Sequence, residues 1–428
     1  MIAPKPASPM EQPKRQKLHA APVTITIPSV LTFGAGCSLE TPNVLKQLGL
    51  RRPMVITDKF IAEKSGLLQP ILDALTSAGF ETSVFSDCVP DPTTDSVAAG
   101  MSMWRAAKEG ERADCFVALG GGSSIDSAKA MALLAVAPAD ARMRDFKVPS
   151  VPPLGLPVIA IPTTAGTGSE VTKVTIITDM ESNEKMLCMG FGLLPKAALV
   201  DYTLTLSMPY RLTADSGLDS LCHAMEAYVS RKANFFADEQ ALVAMRLIPP
   251  NLRTACADLS NTSAREALMR AATHAGIAFS NASVTLIHGM SRPIGAFFHV
   301  PHGLSNAMLL PIVTAFSLPG ARARYADCAR AMGFADVGDT DADAGGKLID
   351  GLTALCKELR VPTPAAYGID EGEYTSLLET MASQALASGS PGNNPVVPSA
   401  PQIVELYRDV YQDGEKTEAR AYPVEVKD

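Results

Sequence analysis

Short runs rich in apolar and β-branched residues recur through the N-terminal half of the chain, alternating with longer stretches of helical spacing. The runs at 54–57 (MVIT), 83–85 (SVF), 115–119 (CFVAL) and 158–161 (VIAI) are of this kind, and 198–201 (ALVD) is a fifth. Helical patterns fall between them, near residues 62–79, 93–109 and 124–135. A strand that is apolar at every position is buried on both faces, and a helix between successive strands lets the next one run parallel. The pattern predicts a parallel sheet covered by helices on both sides.

The texture changes near Ser207, Met208 and Pro209, where a proline interrupts either kind of element. Beyond Ala214, amphipathic segments follow one another at 219–230, 237–247, 264–279, 345–359 and 402–411, with almost no strand signal. A second, all-helical domain is expected there, over residues 209–428, after an α/β domain over 21–208. Residues 1–20 read as a flexible tail, and the stretch from Asp413 reads as a charged one.

A chain of 428 residues, 47% of them hydrophobic, can bury a large core without a disulfide or a structural metal. A metal site here would serve chemistry. The net charge of -8 disfavours nucleic acid and anionic membrane surfaces as partners. Eight cysteines are scattered from Cys37 to Cys356 with no CxxC pair, which suits a reducing compartment. The first twenty residues lack the apolar segment of a signal peptide, and no run is read as approaching the ~18 apolar residues of a membrane span. The expectation is a soluble, cytoplasmic protein.

Two loops at the ends of successive strands point to a ligand. In 117–126 (VALGGGSSID), three glycines let the backbone turn tightly and approach a ligand closely, and the helix starting near Ser123 aims its free N–H groups there. That place suits a pyrophosphate, although the usual GxGxxG fingerprint is absent. Residues 161–170 (IPTTAGTGSE) form a second loop rich in hydroxyls and flexible backbone. Ligands of open α/β sheets bind at such strand ends. Asp58 closes the 54–57 run, where an acid can accept a bond from a ribose 2′-hydroxyl and repel a 2′-phosphate, favouring NAD over NADP; the same residue can cap the next helix.

Asp219 and His223 lie four apart, so on a helix both face the same way. The stretch 288–303 (HGMSRPIGAFFHVPHG) holds three of the chain's six histidines among glycine, proline and phenylalanine. Imidazoles in an apolar stretch need a common partner, and a divalent cation supplies one. Three imidazoles with one carboxylate suit Fe(II) or Zn(II) and leave room for a water or substrate oxygen. His299 is read as lining the substrate site rather than as a fifth ligand; His274 falls in a helical pattern, and His19 in the tail.

These motifs resemble the iron-containing, metal-dependent alcohol dehydrogenases. The likeness runs from about Ile25 to Tyr407 and rests on GGGSSIDSAKA at 120–130, PTTAGTGSEVT at 162–172, GLDSLCHAMEAYVS at 217–230 and HGMSRPIGAFFHVPHGLSNAMLLP at 288–311. The resemblance implies a dinucleotide-binding α/β domain with a parallel sheet, an all-α C-terminal domain and a dehydroquinate synthase-like fold. It implies metal ligands at Asp219, His223, His288 and His302, and pyrophosphate contacts at Gly121, Gly122 and Ser123, with Asp126 beside them. Nicotinamide and ribose contacts would fall on Thr163, Thr164, Thr167 and Lys185. The partners implied are a small alcohol or aldehyde and further copies of the chain, as a dimer or larger assembly.

Three departures stand out. Arg292 occupies a place where the family often has a second histidine, and its fork favours carboxylates, phosphonates or similar anions, unless it serves a structural ion pair. Asp91 stands in the sequence Pro90-Asp91-Pro92-Thr93, and Asp201 precedes Tyr202. The expected reaction is hydride transfer between an alcohol carbon and the nicotinamide, with His299 or a water chain relaying the proton. A glycerol-type polyol dehydrogenase, a dehydroquinate-synthase-like lyase and a catalytically silent scaffold are the rival readings.

Overall fold

The computed structural model describes residues 22–412 apart from Asn183, so the expected tails at 1–20 and from Asp413, and His19, lie outside the described residues. The strands are β1 (Val30–Phe33), β2 (Pro53–Asp58), β3 (Ser83–Cys88), β4 (Cys115–Gly120), β5 (Val158–Pro162), β6 (Val174–Asp179), β7 (Glu184–Met189) and β8 (Ala197–Val200). In the α/β half the helices are α1 (Thr41–Gln47), α2 (Lys59–Glu63), α3 (Leu68–Ser77), α4 (Thr94–Ala106) and α5 (Gly122–Leu134). The helical half holds α6 (Tyr210–Val229), α7 (Phe235–Ala257), α8 (Thr262–Asn281), α9 (Leu286–Phe298) and α10 (His302–Ser317). It continues through α11 (Arg322–Ala331), α12 (Asp341–Glu358), α13 (Pro364–Tyr367), α14 (Glu371–Ala387) and α15 (Ala400–Gln412).

Six strands form one sheet in the order β1-β8-β5-β4-β2-β3, with every neighbouring pair parallel. Strand β4 shows why its sequence is apolar throughout. Phe116 and Ala118 pack against Val97 and Met101 of α4 and Ile125 of α5. Cys115, Val117 and Leu119 face the other way, toward Val44 and Leu45 of α1 and Ile71 and Leu75 of α3. Side chains alternate across a strand, so both faces are covered.

The chain passes from β2 outward to β3 and returns on the other side of β2 to β4. The strand order therefore reverses between β2 and β4, whose carboxyl ends carry Asp58 and Gly120. An open α/β sheet offers its ligand crevice at such a switch.

Beyond β8 the described residues contain helices only. Their core is continuous with the sheet domain, since Ala165, Val171, Ala198 and Val200 belong to the cluster that includes Leu218, Leu221 and Met225 of α6. The two halves share buried apolar surface, so their relative placement is fixed by packing.

The structure adds elements absent from the sequence reading. β1 lies at one edge of the sheet, and β6 and β7 form a separate antiparallel hairpin. One reading is corrected: residues 302–320 are long and apolar enough to cross a membrane, but 72% of that stretch is buried inside the protein, as expected of a central core helix. All eight cysteines are free thiols, seven of them buried.

Candidate metal centre and nucleotide cavity

Three helices converge on one point, each carrying a pair of polar residues four apart: Asp219 and His223 on α6, His288 and Arg292 on α9, His302 and Asn306 on α10. The spacing puts the members of each pair on one helical face. Gly303 lets α10 approach α6, because a Cβ there would sit 2.4 Å from the Asp215 carbonyl oxygen. Pro293 lies inside α9, and that helix ends at His299 in a left-handed turn (φ 54°) before α10 begins.

The four expected ligands meet. One ligand atom each from Asp219, His223, His288 and His302 lies within 4.8 Å of the others. His288 Nε2 and His302 Nε2 are each 3.6 Å from Asp219 Oδ1, and His223 Nδ1 is 3.8 Å from Asp219 Oδ2. The rings of His223 and His288 stack at 4.5 Å, and Phe279 covers the outer face of His223 at 4.3 Å.

The surroundings set the protonation. Burial would raise the Asp219 carboxyl, but the three imidazoles outweigh it and hold it well below the ordinary range. Burial pulls His223 down to about 3 and His302 to about 4, leaving their lone pairs free near neutral pH. Burial also depresses His288, but Glu226 and Asp219 reverse the effect and push it up to about 9.

Two residues absent from the sequence reading hold the cluster in place. Glu226, on the same face of α6, is buried and accepts from Thr285 Oγ1 and Ile287 N, each at 2.7 Å, and from His288 Nδ1. A carboxylate can only accept, so a proton stays on His288 Nδ1, and Nε2, which faces Asp219, is the nitrogen whose proton a bound ion would displace. Asn306 Nδ2 donates to Asp219 Oδ1 at 2.7 Å and approaches His288 Nε2 at 3.1 Å and His302 Nε2 at 3.3 Å. The only sequence signal for either was spacing: Glu226 lies seven residues after Asp219, and Asn306 four after His302.

The cluster forms one end of a cavity of about 470 Å³. Gly122, Ser123, Asp126, Thr167 and Lys185 line the same cavity, so five of the expected cofactor residues share a wall system with the four ligands. Helix α5 starts at Gly122, so its unpaired N-terminal N–H groups face the opening. Gly121, Thr163 and Thr164 lie outside the lining. They knit the two loops together: Thr163 N donates to Gly120 O at 3.0 Å, and a Cβ on Gly121 would come 3.3 Å from the Thr164 methyl. A Cβ on Gly122 would come 2.8 Å from the Thr167 methyl, so glycine there is a packing requirement as well as a turn requirement.

Asp58 also lies outside the lining. Its Oδ1 caps α2 by accepting from Ile61 N at 3.0 Å, while Oδ2 points toward Gly120. Asp126 lines the cavity, but Oδ1 accepts from Ser169 Oγ at 2.6 Å and Oδ2 from Ile176 N at 2.8 Å. Its carboxylate fastens the threonine-rich loop and β6. Fully buried Lys129 ties the same loop by donating to Ser169 Oγ, Thr172 Oγ1 and Val174 O at 2.8–3.0 Å. Lys185 reaches across from β7 and pairs with Asp91 at 3.0 Å.

His299 is a correction. The sequence places it at the substrate site, but its side chain is exposed and it is not among the cavity residues. Its positive φ at the end of α9 turns it outward, whereas His288 and His302 sit within helices that face inward. Arg292 does line the cavity.

The donor set fits a divalent ion. His223 Nδ1 is buried with no hydrogen-bond partner, a costly state for a polar atom unless a ligand engages it. Three nitrogens and one carboxylate within reach of one point match iron or zinc.

Comparison with known proteins agrees with this geometry. A family model described as "Iron-containing alcohol dehydrogenase" matches residues 28–202, and one described as "Fe-containing alcohol dehydrogenase family, C-terminal" matches 213–411. The 1,3-propanediol dehydrogenase of Klebsiella pneumoniae is 33% identical over 387 residues, covering 90% of this chain and 98% of that protein. The NAD-dependent methanol dehydrogenase of Bacillus methanolicus is 34% identical over 385 residues, covering 90% and 98%. A crystal structure of a 1,3-propanediol oxidoreductase superposes with a TM-score of 0.86 at 32% identity, covering 91% of this chain and all of that one.

Proposed function

The chain belongs to the iron-containing alcohol dehydrogenase family, and on that premise we propose that it is an NAD-dependent alcohol dehydrogenase and aldehyde reductase whose divalent ion is held by Asp219, His223, His288 and His302. The observation that carries the reading is the shared cavity: the four-ligand cluster and the N-terminus of α5 open into one space. When bound, the ion supplies a Lewis acid for the substrate oxygen, and the dinucleotide gives or takes the hydride.

The chain's own residues do the rest. The free N–H groups at Gly122 and Ser123, with the positive end of the α5 dipole, bind the cofactor's pyrophosphate. The hydroxyl of Thr167 borders the same space. Asp58 Oδ2, free of the cap bond, stands at the switch point and accepts from a ribose 2′-hydroxyl while repelling a 2′-phosphate, which supports NAD over NADP. Glu226 fixes the His288 tautomer, and Asn306 fixes one carboxylate oxygen of Asp219. Phe279 keeps water off the His223 face. Among the described residues the cavity lining has no imidazole besides the three ligands, so the alcohol proton leaves through water rather than through a histidine.

The test is NADH absorbance in the near ultraviolet with a panel of short aldehydes, before and after chelation. The reading predicts turnover that disappears with chelation and returns with Fe(II) or Zn(II). Turnover that survives complete metal removal would end it.

A further inference from the structure

Arg292 lines the cavity beside the metal ligand His288, and the protein does not answer its charge. Its guanidinium faces the cavity and makes no hydrogen bond or ion pair with the described residues. The acid it feels is Glu226, whose oxygens are already engaged by Thr285, Ile287 and His288. Burial lowers the guanidinium's affinity for its proton, the mark of a cation without full compensation.

The neighbouring charges do not supply the missing partner. Asp126 is committed to Ser169 and Ile176, and Asp91 to Lys185. Lys173 also lines the cavity; its nearest partners are the Thr26 hydroxyl at 3.4 Å and the Phe191 ring, neither of them an acid. Asp219 belongs to the ligand cluster. The metal end of the cavity is therefore cationic beyond what its acids balance, and both Lys185 and Arg292 act on His302 from there.

Position decides which anion is meant. The pyrophosphate of a dinucleotide is drawn to the N-terminus of α5, at Gly122 and Ser123. Arg292 stands instead one turn beyond His288 on α9, so its Cβ is about 5–6 Å from that of a metal ligand. A substrate whose oxygen sits among the ligands can place a group a few bonds away against that guanidinium. An arginine fork in a site of low dielectric selects a planar or tetrahedral oxyanion there.

We propose that Arg292 is a specificity-determining residue, and that the substrates are short alcohols and aldehydes ending in an oxyanion such as a carboxylate or sulfonate. This rests on the dehydrogenase reading and narrows it. Hydride and proton accounting is that of the parent reaction: the carbon–hydrogen pair passes to NAD, the hydroxyl proton to water, and the oxyanion takes no part.

The experiment compares kcat/KM for γ-hydroxybutyrate and hydroxypropanesulfonate against n-butanol, in the wild type, Arg292→Lys and Arg292→Met. Binding of glutarate, which cannot be turned over, is measured beside them by calorimetry. The wild type should prefer at least one anion over the neutral alcohol. Arg292→Met should lower that preference ratio about 100-fold, as for loss of one partner of a buried ion pair, and Arg292→Lys should recover part of it. A structural role would depress charged and neutral substrates alike and leave the ratio unmoved, which would overturn the proposal. Turnover of n-butanol alone, with no Arg292-dependent glutarate binding, also overturns it while the dehydrogenase reading stands. Absence of all NAD-linked turnover, with Arg292-dependent glutarate binding intact, sinks the dehydrogenase reading and upholds the anion site.

Discussion

On the helical side of the cavity, the ligands are held by other side chains: His288 by Glu226, Asp219 by Asn306, His223 by the face of Phe279. On the sheet side, the surface offered to a ligand is mostly backbone, and what holds it is packing between two loops. Gly121 and Gly122 press against Thr164 and Thr167, while Asp126 and Lys129 pin the second loop from behind. A cation needs a few strong donors set at fixed points, which side chains on stiff helices provide. A long anionic cofactor needs close approach over an extended path, which only bare backbone allows. The two walls should therefore fail in different ways when changed.

The largest effect should come from the ligands themselves. His302→Ala, at the most exposed of the four positions, should cost most of the bound metal and about 1000-fold or more in kcat/KM. Elemental analysis beside an NADH assay reads both, and full activity without metal would break the contrast. Next comes the partner behind a ligand. Glu226→Gln cannot hold the His288 tautomer as firmly and should weaken metal affinity about 10- to 100-fold, measured by competition with a chelator.

On the other wall, Gly122→Ala places a methyl 2.8 Å from the Thr167 methyl and crowds the α5 N-terminus. KM for NAD should rise about tenfold while metal content stays near that of the wild type. A metal loss as large as that of Glu226→Gln would show that the walls are not independent. The smallest effects fall on Asp58, whose two roles can be separated. Asp58→Ala should cost about 1 kcal/mol of stability by removing the α2 cap, read from thermal or denaturant unfolding. Asp58→Asn keeps a capping side chain but removes the charge, and should raise the use of NADP relative to NAD several-fold with little change in stability.

The same contrast explains what could be read without coordinates. Histidine is scarce in this chain, so three within fifteen residues, together with an Asp–His pair at helical spacing, were visible as a metal site. Glu226 and Asn306 were not, because acids and amides are common and their roles arise only where α6, α9 and α10 meet. His299 misled for the opposite reason: it shares the cluster's neighbourhood in sequence, and only the left-handed turn at the end of α9 reveals that it faces out.

The largely apolar strands β2, β4 and β5 announced the sheet. β1 is as long as runs that were legible but stands before the first strand–helix alternation, and β7 (EKMLCM) is made of residues that favour helices as readily as strands. The length and hydropathy of residues 302–320 suit a membrane as well as a protein core, and only their neighbours decide between them. The glycine-rich turn was legible as a turn. That its glycines accommodate threonine methyls of the next loop was not, since that contact joins residues some forty positions apart.

The central claim is geometric and can be seen directly. Crystals of the protein loaded with Fe(II) and NAD should give one anomalous difference peak at the iron edge, bounded by Asp219, His223, His288 and His302, with the pyrophosphate at Gly122 and the nicotinamide ring turned toward that peak. A peak bound elsewhere, or a nicotinamide lying away from those four side chains, would contradict the account.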